Sequence, residues 1–173
     1  MISIAIVDDH RLMRAGLANM IAGFKGYKVI LEAENGKRFI ETLKPNKPPS
    51  IVLLDINMPE MDGYETAQWI RKNLPDTKMI ALSMYDNDYA IIQMLKNGCH
   101  GYLLKNSEPM LLYTAFNEIK KYGYFSNDMV SDKLIHYIGD ESTLKKQQDQ
   151  VNQLTEKERA FMGWVCTDKT YKE

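Results

Sequence analysis

Four short apolar runs of this chain each end in a side chain able to do acid or phosphoryl chemistry. Ile4-Ala5-Ile6-Val7 is followed by Asp8 and Asp9, Ile51-Val52-Leu53-Leu54 by Asp55, Ile80-Ala81-Leu82 by Ser83, and Tyr102-Leu103-Leu104 by Lys105. Carboxylates gathered at one edge repel each other and raise one another's pKa. Either one of them takes up a proton, or a hard cation sits among them. Mg2+ suits such a place, because it takes oxygen ligands from one or two carboxylates, a carbonyl and waters. The backbone carbonyl of Asn57, two residues past Asp55, is positioned in sequence to be a further ligand. A hydroxyl and an ammonium beside a carboxylate and a metal make a phosphoryl site. Asp55 can then be the nucleophile, giving an aspartyl phosphate. Lys105 neutralises charge on the transferring oxygens and Ser83 hydrogen-bonds one of them. The plainer alternative is that Asp8 or Asp9 caps the helix beginning near His10. Ser83 and Lys105, each taken alone, read as surface residues.

These residues converge only if the runs are neighbouring strands. Ile51 to Leu54 is short, uninterrupted and rich in β-branched residues, and Pro59 with Met61-Asp62-Gly63 ends it with turn chemistry. It reads as a central strand buried on both faces, with Asp62 as a candidate structural cap. Further strands are expected at 2–7, 27–33, 78–83 and 101–104. Helices are expected at 10–24, 36–44, 63–74, 86–97 and 108–121, the fourth closed by Gly98 and the last capped by Asn106 or Ser107 with Pro109 in its first turn. Five alternations of strand and helix predict an α/β fold, a doubly wound parallel sheet with right-handed crossovers. In such a sheet the first and third strands are adjacent, and ligands bind at the carboxyl ends.

The totals narrow the function classes. At 173 residues, 45% apolar and 26% charged, the chain fits one globular domain plus a smaller piece. A net charge of −1 gives no global footprint for nucleic acid or membrane. No run is long enough to span a bilayer, and Met1 leads directly into a strand, so a signal peptide is not expected. Cys99 and Cys166 fit neither a metal spacing nor a disulfide framework, which predicts a cytoplasmic protein. His10 reads as a helix-start residue facing solvent or flanking the site, unneeded as a ligand. His100 and His136 read as surface residues.

Beyond Tyr124 the character changes. Ser126 to Ile138 is patterned as a helix, and Gly139 to Gln150 as an exposed linker or solvated helix. Thr155 and Glu158 then form a capping box before Phe161, Met162, Trp164, Val165 and Cys166. A lone helix of that length is marginal in water, so this piece is expected to be incomplete or to dock elsewhere.

The Asp8-Asp9 pair, the Leu53-Leu54-Asp55-Ile56-Asn57-Met58-Pro59-Glu60-Met61-Asp62-Gly63 run, Ser83 and Gly101-Tyr102-Leu103-Leu104-Lys105 resemble the receiver domain of two-component response regulators. The resemblance covers residues 1–122 and implies a flavodoxin-like sheet of order 2-1-3-4-5. It implies that Asp55 accepts phosphate from a sensor histidine kinase. It also implies that Mg2+ is held by Asp8 or Asp9, Asp55 and the Asn57 carbonyl, with Asp9 the more direct of the pair. Ser83 and Tyr102 match the family's switch pair. Tyr102-Leu103-Leu104-Lys105 and Leu154-Thr155 with Lys157-Glu158 resemble the NarL/FixJ subfamily, whose effector is a LuxR-type helix-turn-helix. That reading makes 123–153 a helical linker and 154–173 the start of a DNA-binding domain that ends before its recognition helix, a truncation. Asp168 and Tyr171 depart from the usual glycine and asparagine, and Asn106 stands where many receivers have proline. From Lys120 onward nine basic residues face nine acidic ones, so the tail is not a basic patch. Asn57 and Tyr85 are expected to tune the lifetime of the phosphoryl group.

Three function classes follow. The first is a phosphorylation-switched transcription regulator, dimerising when phosphorylated and binding DNA in its full-length form. The second is a receiver acting only as a protein-interaction module. The third is a Mg2+-dependent phosphatase with an aspartyl nucleophile. Such enzymes usually carry a general acid two residues past the nucleophile, and Asn57 cannot serve as one.

Overall fold

The computed structural model describes residues 1–84, 86–128 and 130–132. These belong to a unit spanning Met1–Lys133, and the remainder, Leu134–Glu173, lies outside the described residues.

The apolar runs become five strands, β1 (Ile2–Val7), β2 (Tyr27–Ala33), β3 (Ile51–Asp55), β4 (Lys78–Ser83) and β5 (Gly101–Leu104). They alternate with α1 (Arg11–Ala22), α2 (Gly36–Thr42), α3 (Gly63–Asn73), α4 (Asp88–Lys96) and α5 (Pro109–Tyr122). All neighbouring strands are parallel, in the order β2-β1-β3-β4-β5, as expected. Every residue of β3 is buried, which is why its sequence does not alternate. β2, at the edge, alternates exposed and covered positions instead.

Side chains on one face of the sheet, among them Ile4, Ile6, Leu53, Ile80, Leu82 and Leu103, pack with Leu17 and Ile21 of α1 and Phe116 and Ile119 of α5. The intervening residues Ala5, Val7, Val52, Leu54 and Ala81 are wholly buried on the opposite side, as the period of two requires. Phe39, Ala67, Ile70, Ile91 and Met94 from α2, α3 and α4 are also wholly buried.

Helix starts are set by local side chains. Asp62 caps α3 in a full capping box: it accepts the Glu65 N–H at 2.9 Å, and the Glu65 carboxylate accepts the Asp62 N–H at 3.3 Å. Asn87 accepts the N–H groups of Tyr89 and Ala90, which starts α4 at Asp88, two residues later than its apolar pattern suggests. Neither Asn106 nor Ser107 caps α5. Glu108 holds the cap position with no side-chain hydrogen bond, and Pro109 follows it, a residue with no N–H to satisfy. Ser107 instead closes a turn, its N–H donating to the Leu104 carbonyl at 3.0 Å. Gly98, in the left-handed region at φ 96°, ends α4 as read from sequence.

Gly63 has a steric role. A β-carbon there would collide with the Asp55 carbonyl and come within 2.7 Å of the Ile56 Cα, while the Gly63 N–H donates to the Ile56 carbonyl at 2.9 Å. The start of α3 thus lies directly against the backbone that carries Asp55. Gly63→Ala is expected to cost about 1–3 kcal/mol through overpacking, read as a lower urea midpoint at unchanged slope.

After α5 the chain returns to the sheet. The Phe125 N–H donates to the His100 carbonyl at 2.7 Å, and the Asn127 side chain accepts the Val130 N–H at 3.0 Å as a helical turn begins. The expected helix of 126–138 is described only to 132. The rest of it, the 139–150 segment, the 154–173 segment and Tyr85 lie outside the described residues.

Candidate functional site

Strand register builds the site. Val7 pairs with Leu54, so Asp8 emerges beside Asp55. Asp55 pairs with Leu82, so Ser83 lies one step beyond it, and Ser83 pairs with Leu104, which puts Lys105 next. The Lys105 N–H donates to the Ser83 carbonyl at 2.7 Å and fixes that last step.

Lys105 is the centre of the arrangement. Its ammonium lies 2.7 Å from Asp55 Oδ2 and 2.9 Å from Asp8 Oδ2, and its side chain is only 2% exposed. Asp8 is wholly buried. Its N–H donates to the Ala33 carbonyl, and its own carbonyl accepts a hydrogen bond from the Arg14 guanidinium, a contact with no signal in the sequence. Asp8 Oδ1 accepts the His10 N–H at 2.8 Å; Oδ2 makes no aligned hydrogen bond and faces Lys105.

The capping alternative for the acidic pair fails. His10 occupies the cap position of α1 with no side-chain cap bond, and Asp8 instead closes the turn before it. Asp9 is partly exposed, with Oδ1 2.7 Å from His10 Nδ1. Asp8, Asp9, His10 and Asp55 each present a ligand atom within 4.8 Å of the others, a cluster that could hold a metal ion. Three oxygen donors suit a hard cation. His10 stands at the helix start and flanks the site, as read from sequence. Its neighbours in sequence are the acids themselves, and only the turn at Asp8 brings the ring over them.

Burial raises the Asp55 pKa; the Lys105 ammonium opposes this, Asp8 adds to it, and a hydrogen bond from the Asn57 backbone opposes it again. Burial also works against the Lys105 charge, but the two carboxylates outweigh it and hold its pKa above the ordinary lysine value. The raised Asp55 pKa carries a sign. Stability from this group is fully present below its unfolded pKa of about 3.9 and is lost as pH rises through the folded value. At neutral pH the ionised Asp55 therefore costs stability. Asp55→Asn is expected to be more stable than the parent at pH 7, by on the order of 1 kcal/mol, with the gain vanishing in acid. Urea unfolding at both pH values checks this.

Ser83 is 5% exposed and Tyr102 wholly buried, and their hydroxyls share a hydrogen bond. Tyr102 is thus turned inward, against the residue that the resemblance pairs it with. Burial is the main cause of its raised pKa. Asn57 is exposed and gives its backbone N–H to Asp55. His100 is more enclosed than expected: its Nδ1 accepts the Met79 N–H at 3.3 Å, and burial, then Lys78, lowers its pKa to about 4.

No helix among the described residues is long and apolar enough to cross a membrane. The response regulator receiver domain family matches residues 4–117. The transcriptional regulatory protein DegU of Brevibacillus brevis is 32% identical over 134 residues, which are 78% of this chain and 56% of DegU. The nitrate/nitrite response regulator protein NarL of Escherichia coli is 31% identical over 165 residues, 95% of this chain and 74% of NarL. Among solved structures, the Salmonella typhimurium RcsB response regulator, described for its conformational dynamism in DNA interaction, superposes with a TM-score of 0.72 at 25% identity, over 78% of this chain and 69% of that one. The acids, the lysine and the Ser83–Tyr102 pair thus sit on a chain that belongs to the response regulator receiver domain family, as a two-component response regulator of the NarL/FixJ type.

Proposed function

We propose that Asp55 accepts a phosphoryl group from a sensor histidine kinase, and that this switches a DNA-binding transcription regulator. The observation that carries the reading is the Lys105 ammonium held between two buried carboxylates at the strand ends. Nothing in a structural salt bridge requires a third acid and a hydroxyl pair on the same edge.

A carboxylate oxygen of Asp55 attacks phosphorus, the bond from phosphorus to the donor histidine breaks, and the imidazole leaves. Asp8, Asp9 and Asp55, with the Asn57 carbonyl, would hold Mg2+, which supplies positive charge against the phosphoryl oxygens. Lys105 shifts its ammonium from the carboxylate to a phosphoryl oxygen. The Ser83 hydroxyl exchanges Tyr102 for another phosphoryl oxygen, and the ring of Tyr102, already inward, is held there. The phosphoryl group adds about 1.5–2 negative charges, so a two-state element can be biased by it. The Ser83–Tyr102 pair on β4 and β5 is that element. Asn57 and Tyr85, each two residues past a site residue in sequence, tune the lifetime of the phosphoryl group. A phosphorylation-dependent homodimer and DNA as the final partner follow from the NarL/FixJ type, since paired DNA readers need two-fold symmetry.

Incubation with acetyl phosphate and Mg2+ is expected to give one phosphoryl adduct by intact mass. Borohydride trapping should map it to the peptide bearing Asp55, with a shift toward dimer in light scattering. An adduct without any change of assembly or DNA affinity would favour the protein-interaction module. Rapid release of phosphate from added phosphomonoesters would favour the phosphatase, which Asn57 disfavours.

A further inference from the structure

The phosphotransfer mechanism leaves His10 without a task, although it is the nitrogen donor of the acid cluster. We propose that His10 is a ligand of the cation bound at Asp8, Asp9 and Asp55, and that it makes the site favour later first-row divalent ions such as Co2+ over Mg2+. This rests on reading the cluster as the cation site of the receiver.

The geometry suits one coordination sphere. His10 Nδ1 lies 2.7 Å from Asp9 Oδ1, 3.5 Å from Asp8 Oδ1 and 4.0 Å from Asp55 Oδ2. Around an octahedral ion with ligands at about 2.1 Å, adjacent ligand atoms lie about 3.0 Å apart and opposite ones about 4.2 Å. One cation can therefore reach the ring and all three acids with small adjustments.

The chain also holds the ring there. The His10 N–H is fixed on Asp8 Oδ1 at 2.8 Å, and its carbonyl accepts the Arg14 N–H at 3.0 Å, so the backbone is tied from both sides. The ring is 66% exposed, which leaves room for waters on the cation, and its ion-pair partners are all members of the cluster.

The selectivity follows from ligand chemistry. Mg2+ takes oxygen donors and keeps its waters, so an imidazole adds little to its binding. Imidazole suits later first-row ions, and affinity rises from Mn2+ to Co2+. The competing account is that His10 merely donates Nδ1–H to Asp9.

Electron spin echo modulation of the Mn2+-loaded full chain distinguishes the two. Directly bound imidazole is expected to give a nitrogen coupling that disappears in His10→Ala and persists when His100 and His136 are both replaced by Gln. By calorimetry, the ratio of Co2+ to Mg2+ affinity should fall roughly tenfold or more in His10→Ala. Mg2+ binding that is lost in Asp55→Asn, with no nitrogen coupling and an unchanged ratio in His10→Ala, overturns the role of His10 alone. Absence of any cation binding in the parent overturns both this inference and the metal reading beneath it.

Discussion

Asp55→Asn is expected to take up no phosphoryl group from acetyl phosphate and Mg2+, under conditions that give the parent one adduct. The substitution keeps size and shape but replaces an anionic nucleophile by an amide, which does not attack phosphorus at a useful rate. It also removes one of the two negative charges facing Lys105, so the ammonium retains only the Asp8 carboxylate, at 2.9 Å. Loss of structure cannot stand in for loss of chemistry, because this variant is expected to be the more stable protein at neutral pH. Intact mass with urea midpoints for the same samples separates the two. An undiminished single adduct on the variant would move the nucleophile elsewhere, with Asp9, the exposed member of the acidic pair, the first place to look.

Lys105→Met should be the most destabilising single change at the site. Methionine fills much of the buried stem, so the dominant loss is the charge held between Asp55 and Asp8. Breaking a buried ion pair from one side leaves uncompensated charge and costs about 3–5 kcal/mol, a large share of the 5–15 kcal/mol that holds a domain folded. The dependence on pH identifies the cause. Without the ammonium the carboxylates bind protons more readily in the folded state, so stability is retained in acid and lost as pH rises through their folded pKa values. The deficit should therefore be largest above neutrality and small near pH 4, measured in a chelating buffer. A deficit that does not change with pH would mean lost packing, and a Lys105→Met, Asp55→Asn double variant that recovers no stability would say the same.

Much of the site was legible in sequence because each residue ends a strand, and strand ends can be read from where an apolar run meets a turn residue. Asp8, Asp55, Ser83 and Lys105 needed only the assumption of a parallel sheet to share an edge. Asp62 was legible as a cap because its partner Glu65 lies in the same helical turn. Where signals competed locally, the sequence misled: Asn106 and Ser107 both look like caps, yet Pro109 tolerates a start without one. His100 reads as a surface residue, since nothing local says that Lys78 and the Met79 N–H will enclose it.

The chain by itself determined the order of its elements, the parallel sheet and the chemical character of the residues along its carboxyl edge. Those follow from local periodicity and from the steric rules for connecting strands. Only the tertiary structure decided that one ammonium bridges Asp8 and Asp55, that Tyr102 is wholly buried against Ser83, and that the His10 ring turns over the acids. Each of these depends on distances across strands or on rotamers within a turn. Such distances are set by packing density and by the loss of water around buried charge, and no spacing in the sequence records them.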